Sequence, residues 1–257
     1  MPHPLTLTPL PGIPLIRPGD DLADVLLAAL ASARLSLADG DILILAQKIV
    51  SKAEGRLVNL QTVLPSQAAL ELATRSEKDP RLCELILRES RAIVRVRPGT
   101  VIVEHRLGFI CASAGIDHSN VRGEDGNPED WVLLLPENPD RSAASLRARL
   151  EAASGKRLGV MIIDSHGRAW RLGVTGVCIG LSGLPALVDK RGDPDLFGFR
   201  LRITQIAAAD ELAAAASLVM GQADEGTPAV HARGFPYPLR ESALGELIRP
   251  KEQDLFR

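Results

Sequence analysis

Two short apolar runs, Ile42–Ala46 and residues 158–163, constrain the chain more than any other feature. Neither carries a charge, and continuous apolar runs of this length suit strands buried inside a sheet. Asp39-Gly40-Asp41 turns the chain into the first run. Residues 9–16 read as an extended entry, because Pro11 and Pro14 bias their neighbours away from helix. Arg17-Pro18-Gly19-Asp20 is a turn, and Asp20 or Asp21 can cap the helix whose inner face is Leu22, Val25, Leu26, Ala29 and Leu30. Further helices are expected at 66–75 and 80–91, capped by Ser66 and Asp79, at 140–153, and at Ala208–Met220. Strands are expected at 92–96, 101–105, 108–115, 131–135, 201–207 and 229–232. Residues 171–185 are small and glycine-rich, a stretch where backbones or ligands approach closely. The charged segment beyond about 240 reads either as a helix or as a fraying end. Helices and strands mix without strict alternation, so the expected class is α+β, with mixed β-sheets and packed helices.

Composition narrows the function. The chain has 257 residues, 46% apolar and 24% charged, enough for a sizeable core. Lys and Arg total 30 against 32 Asp and Glu, a net charge of −2, and only 3% of residues are aromatic. Neither a phosphate-coating surface nor a base-stacking platform fits these numbers, which leave room for one small nucleotide site. Cys83, Cys111 and Cys178 are scattered and form no CxxC pair, so a disulfide framework or thiolate zinc site is not expected. The N-terminus lacks the basic and apolar regions of a signal peptide, and no apolar run suits a bilayer span. The expectation is a cytoplasmic protein without nucleic-acid or membrane partners.

Four segments place polar residues where a core does not need them. Gln47-Lys48-Ile49-Val50-Ser51-Lys52 follows the first apolar run, and two of the chain's six lysines lie there four residues apart. Lysine is a compact cation that meets phosphate oxygens well, although the segment equally reads as a solvated strand end. Asp117 and Asn120, within Ser113–Asn120, could present oxygens or amides to a cation or ligand; an Asx-turn is the alternative. His118 beside them is a candidate metal ligand or simply a surface histidine. Asp164-Ser165 follows the second apolar run and supplies carboxylate and hydroxyl oxygens of the kind Mg²⁺ or Mn²⁺ takes, while Asp-Ser-His-Gly is also a good turn. A nucleophilic Ser165–His166 pair is disfavoured because adjacent residues rarely face each other. Met220–Thr227 (MGQADEGT) offers two glycines and two acids after a helix, as a ligand loop or as a helix cap with solvated acids. The chain has no Walker-type or GxGxxG loop.

Taken in order, the stretches LPGIPLIRPGDDL, DGDILILAQKIVSKAEGR, CASAGIDHSNV, GKRLGVMIIDSHGRAWRLGVTGVCIGLSG and MGQADEGTPAVHARG resemble the coenzyme F420-0:L-glutamate ligase family over about 10–235. The resemblance implies a ligase domain over 1–245, with two subdomains as one form it could take, and a tail at 246–257. The absence of a nitroreductase-like extension after 245 suggests the stand-alone form. It implies a GTP-dependent ligase in which the F420-0 carboxylate becomes an acyl phosphate and the L-glutamate amine attacks it. The first product is α-amino-linked, and later additions are γ-linked. Phosphoryl transfer needs charge neutralisation and alignment more than a nucleophile, so the missing catalytic triad is expected.

By the same resemblance Asp117 and Asp164 match divalent-metal ligands, and Ser165 matches a second-metal ligand that is often threonine. Asn120, Lys52, Gln47, Lys48 and the backbone of Ile13, Pro14, Leu15 and Ile16 match GTP-binding positions. The loop of Met220, Gly221, Gln222, Ala223, Asp224, Glu225, Gly226 and Thr227 matches a nucleotide-contacting loop. Asp117, Asp164 and Lys52 are the implied catalytic residues. The implied ions are two Mg²⁺ or Mn²⁺ per subunit, with K⁺ as a further candidate, and the implied assembly is an intertwined homodimer. Two departures stand out. Gln222 lies where an acid is common and could itself coordinate a second metal, although a neutral amide there would bind Mg²⁺ more weakly. Gln47-Lys48 lies where some members carry small hydroxyl residues. With so few aromatic residues, recognition of a deazaflavin ring would fall to aliphatic and backbone contacts. The competing readings are a Mg²⁺-dependent phosphohydrolase using Asp117 and Asp164, and a non-catalytic protein that binds a nucleotide or F420.

Overall fold

A computed structural model of the chain describes residues 4–123 and 127–254. In chain order its first elements are β1 (Thr6–Pro9), α1 (Leu22–Ser32), β2 (Ile42–Ala46), α2 (Gln47–Ala53) and β3 (Leu57–Asn59). A helical pair follows, α3 (Gln67–Ser76) and α4 (Pro80–Arg88), then β4 (Ser90–Arg97), β5 (Thr100–His105), β6 (Ile110–Ala112) and β7 (Trp131–Leu133). The remainder is α5 (Pro139–Ser154), β8 (Gly159–Arg168), β9 (Arg171–Ser182), β10 (Val188–Asp189), β11 (Gln205–Ile206), α6 (Ala208–Met220) and β12 (Ala229–Arg233). The class is α+β, with several sheets and packed helices.

The central sheet has the order β1-β12-β2-β8-β9. Its two apolar strands, β2 and β8, pair in parallel with Ile42 opposite Gly159 and Ala46 opposite Ile163, and every other pair in this sheet is antiparallel. Side chains alternate across a strand, so each apolar run feeds two cores. Leu43, Leu45, Val160 and Ile162 pack with the inner faces of α1, α2 and α5. Ile42, Ile44, Met161 and Ile163 pack with Ala209, Leu212, Ala213, Ala216 and Met220 of α6. Burying one such aliphatic side chain contributes about 1.5–3 kcal/mol. A third apolar cluster joins α3 and α4 to the sheets β4-β5-β6 and β3-β7. Phe109 packs against all three clusters.

The expected helix starts hold. Asp21, rather than Asp20, accepts from Ala23 N and Asp24 N, while Asp20 closes the preceding turn by accepting from Arg17 N. Ser66 and Asp79 cap α3 and α4. Several local expectations change. Residues 47–53 form a helix, not a strand end, because Ile49 and Val50 turn inward onto the α1 side of the core. The strand through 158–163 runs on to Arg168, where β9 pairs with Asp164–Arg168 and removes the expected turn. The strand at 108–115 stops at Ala112, and the strand at 201–207 shrinks to Gln205–Ile206. The glycine-rich stretch becomes β9, and what approaches it closely is backbone: a Cβ on Gly176 would lie 2.5 Å from the Ala213 carbonyl oxygen of α6.

One buried cluster ties the sheet at the amino end of β2. Asp41 is 1% exposed and accepts from Arg233 Nε at 2.9 Å, from Arg233 Nη2 at 2.7 Å and from Ala38 N at 2.8 Å. His231 Nε2 lies 2.8 Å from the same carboxylate. Burial works against the Asp41 charge, but the Arg233 and His231 contacts outweigh it and hold the carboxyl below its ordinary range. Removing one partner of a buried ion pair typically costs about 3–5 kcal/mol, and half-exposed Arg233 places Asp41→Asn at about 3 kcal/mol. A lowered folded-state value means this stabilisation is complete above the ordinary carboxylate range and fades as pH falls through the folded value. Urea unfolding should therefore show the deficit of D41N at pH 7 and a smaller one near pH 3, and equal deficits at both would refute the assignment.

Candidate functional site

The parallel register brings the carboxyl ends of β2 and β8 side by side, since Ala46 pairs with Ile163. Gln47 therefore leaves the sheet beside Asp164, and a cleft of about 1000 Å³ opens at this edge. Such a position, beyond the carboxyl ends of parallel strands, is where open α/β sheets bind ligands. Its walls include Ile13, Pro14, Leu15 and Ile16 of the entry segment, Gln47, Lys48 and Lys52 of α2, and Asn120. Asp164, Ser165 and every residue from Met220 to Thr227 complete them. Five segments far apart in sequence thus line a single cleft, the extended entry among them.

Asp117 is joined to this lining through its partners. Its backbone exchanges hydrogen bonds with Leu133 of β7, at 3.0 Å for Asp117 N and 2.9 Å for Leu133 N. That anchorage replaces the Asx-turn alternative and frees the carboxylate to meet α2. Gln47 Nε2 donates to Asp117 Oδ2 at 2.6 Å, and Lys48 Nζ makes an ion pair with the same oxygen. Just upstream, Ser113 and Ala114 lie at φ 48° and 54°, a left-handed conformation that costs a non-glycine residue about 1–2 kcal/mol. This turn ends the β6 run and redirects the chain toward Asp117.

Charges of both signs crowd the cleft. Burial raises the Asp117 pKa; the Lys48 ammonium opposes that rise and the Asp164 carboxylate adds to it. The two acids are thus near enough to repel. Lys52 is lowered from the ordinary lysine value, first by burial and then by Lys48, with Asp117 partly offsetting both. Lys52 Nζ donates to the Asn120 carbonyl at 2.8 Å, and Asn120 Nδ2 donates to the Ala223 carbonyl at 2.8 Å, tying α2 to the glycine loop.

Asp164 and Ser165 point to opposite faces of β8. Asp164 continues the Val160 and Ile162 side, toward Phe109, and His166 Nε2 lies 3.0 Å from Asp164 Oδ2. Ser165 continues the Met161 and Ile163 side, toward α6, where its hydroxyl donates to Gln222 Oε1 at 2.7 Å. Gln222 Nε2 in turn donates to Ser217 Oγ at 2.8 Å. The adjacent Ser165 and His166 therefore cannot act as a nucleophile pair. The available donors are two carboxylates, a hydroxyl and an amide oxygen, a set suited to a hard cation that keeps waters and meets substrate phosphates. Among the described residues no three His, Cys, Asp or Glu side chains cluster to hold a metal by themselves. His118 is exposed, and the three cysteines are buried and free.

Some lining residues were missed from sequence. Arg17, Arg122 and Ser217 also line the cleft, and His166 contacts Asp164. The alternation Asp-x-His would have paired Asp164 with His166 had the segment been read as strand rather than turn.

Gly221 starts the loop at φ +75° and ψ −178°, a region that essentially only glycine occupies, and a Cβ there would lie 2.0 Å from the Glu225 carboxyl carbon. Gly221→Ala should cost about 1–3 kcal/mol in urea unfolding. It should also detach the Ala223 N to Glu225 Oε2 bond, which is 2.8 Å long. Unchanged stability would show that the loop is not held in this form.

Residues 12–234 match the family described as F420-0:gamma-glutamyl ligase. The coenzyme F420:L-glutamate ligase of Methanothermobacter thermautotrophicus is 47% identical over 255 residues, covering 98% of this chain and 99% of the relative. That of Methanopyrus kandleri is 48% identical over 260 residues, with 98% of each chain covered. The Methanocaldococcus jannaschii ligase of the same name is 44% identical over 225 residues, 88% of each. The chain belongs to the F420-0:gamma-glutamyl ligase family.

Proposed function

We propose that the protein is a GTP-dependent ligase that joins L-glutamate to coenzyme F420-0 and extends the product through γ-linkages. The observation that carries this reading is the convergence of Lys48, Lys52, Asp117, Asp164, Ser165 and the Met220–Thr227 loop about one cleft. The names of the relatives supply the two substrates.

In this reading the F420-0 carboxylate oxygen attacks the γ-phosphorus of GTP, and the bond to the GDP oxygen breaks. The glutamate amine then attacks the acyl carbon, phosphate leaves with the electron pair of the C–O bond, and the amine loses a proton. Lys48 and Lys52 sit where they can neutralise phosphate charge, and the Gly221–Gly226 loop lets backbone approach the nucleotide. Asn120 holds the loop against α2 through Ala223. Asp117 and Asp164, with Ser165 and Gln222 on the second side, are the residues that would hold Mg²⁺ or Mn²⁺. Such a cation, when bound, neutralises charge on the transferring phosphoryl group. The amide of Gln222 makes the second position the weaker one. Incubation with GTP, Mg²⁺ and F420-0 should raise the cofactor's mass by one glutamate residue only when glutamate is present. Asp164→Asn should abolish most of that turnover while unfolding like the wild type. Phosphate release without glutamate would favour a hydrolase, and binding without turnover a sensor.

We also assign the active form as a homodimer. Trp170 and Leu172 at the β8–β9 tip, and Leu196, Phe197 and Ile203 between β10 and β11, are 87–97% exposed. Large exposed apolar side chains of this kind mark association surfaces. Light scattering should give twice the chain mass, and Phe197→Asp with Leu196→Asp should shift it toward monomer. A wild-type monomer at micromolar concentration would refute the assignment.

A further inference from the structure

We propose that His166 is a positioning residue that orients the Asp164 carboxylate for a divalent cation. The inference rests on the reading of Asp164 as a metal ligand and extends it to a residue outside the cleft lining.

The geometry begins with strand alternation. Asp164 and His166 are two apart on β8 and so share a face, and both side chains are only 12% exposed. Their contact runs from His166 Nε2 to Asp164 Oδ2 at 3.0 Å. An ionised carboxylate has no proton to give, so the ring nitrogen is the donor. Through this bond Oδ2 is engaged, while Oδ1 has no hydrogen bond among the described residues. A carboxylate held in this way by an outer partner keeps one oxygen in a set direction.

The imidazole is itself held. Its ring lies 5.3 Å from that of Phe109, tilted by 51°. Phe109 in turn stacks on His105 at 5.1 Å with the planes 5° apart. His105 is fully buried, and its Nδ1 accepts from Leu107 N at 3.0 Å. Burial pushes the His105 pKa down to about 4, so this ring stays neutral at physiological pH and serves as a platform. A wholly aliphatic core would need no histidine at position 166. The structure supplies one whose only side-chain hydrogen bond among the described residues goes to the proposed ligand.

Three variants separate this role from simple packing. His166→Phe keeps a ring against Phe109 and removes the donor, His166→Leu removes both, and His166→Gln restores an N–H at the position of Nε2. Binding of Mn²⁺ alone would be followed by the electron paramagnetic resonance of the free aquo ion, with thermal unfolding as the check on folding. H166F should weaken Mn²⁺ binding about 10–100-fold, the range typical of lost outer partners. H166L should do the same, and H166Q should recover most of the affinity. Wild-type-like Mn²⁺ affinity in a folded H166F or H166L, or no recovery in H166Q, would overturn the positioning role. Asp164→Asn serves as the reference. If it binds Mn²⁺ as the wild type does, or if the wild type binds none, the metal reading fails and this inference with it.

Discussion

The parallel pairing of β2 with β8 is the constraint on which the rest of the structure depends. Each strand is a continuous apolar run, and the alternation of side chains commits every residue to one of two cores. A slip of one residue would turn the α1 and α5 face toward α6 and leave both packings wrong. That same register sets Ala46 against Ile163, so the first polar residues after each run emerge together. The site is therefore a consequence of core packing: Gln47 and Asp164 become neighbours because the sheet cannot be buried in another register.

Charge balance in the cleft follows from this placement. Asp117 and Asp164 repel, and Lys48 relieves part of the repulsion by pairing with Asp117. Lys48 also lowers the pKa of Lys52, one turn further along α2. Under the proposed function, a polyphosphate with a divalent cation would satisfy both signs at once. The near-neutral net charge of the whole chain hides this local separation.

Much of the secondary structure was legible locally because it is decided locally. Asp21, Ser66 and Asp79 satisfy backbone N–H groups within three residues of themselves, so their caps depend on little else. The helix Ala208–Met220 is equally plain in its alanine content and closing glycine. The misread segments depend on partners outside themselves. Residues 164–167 look like a turn until β9 pairs with them, and residues 47–53 look like a strand end until Ile49 and Val50 find the α1 core. Family resemblance assigned roles to residues that local chemistry could only nominate.

The sequence by itself determined the two buried strands, the helix caps, and the identities of the lysines and acids near the site. These follow from composition and short-range hydrogen bonding, which neighbouring residues settle. Only the tertiary structure decided that Asp117 anchors on β7, that Ser165 and His166 face opposite ways, and that Gln222 meets Ser165. Those relations depend on strand register and on how far β8 continues. Register is a property of paired strands: Asp117 reaches Gln47 across 70 residues and Ser165 reaches Gln222 across 57, distances over which only the packed sheet carries information.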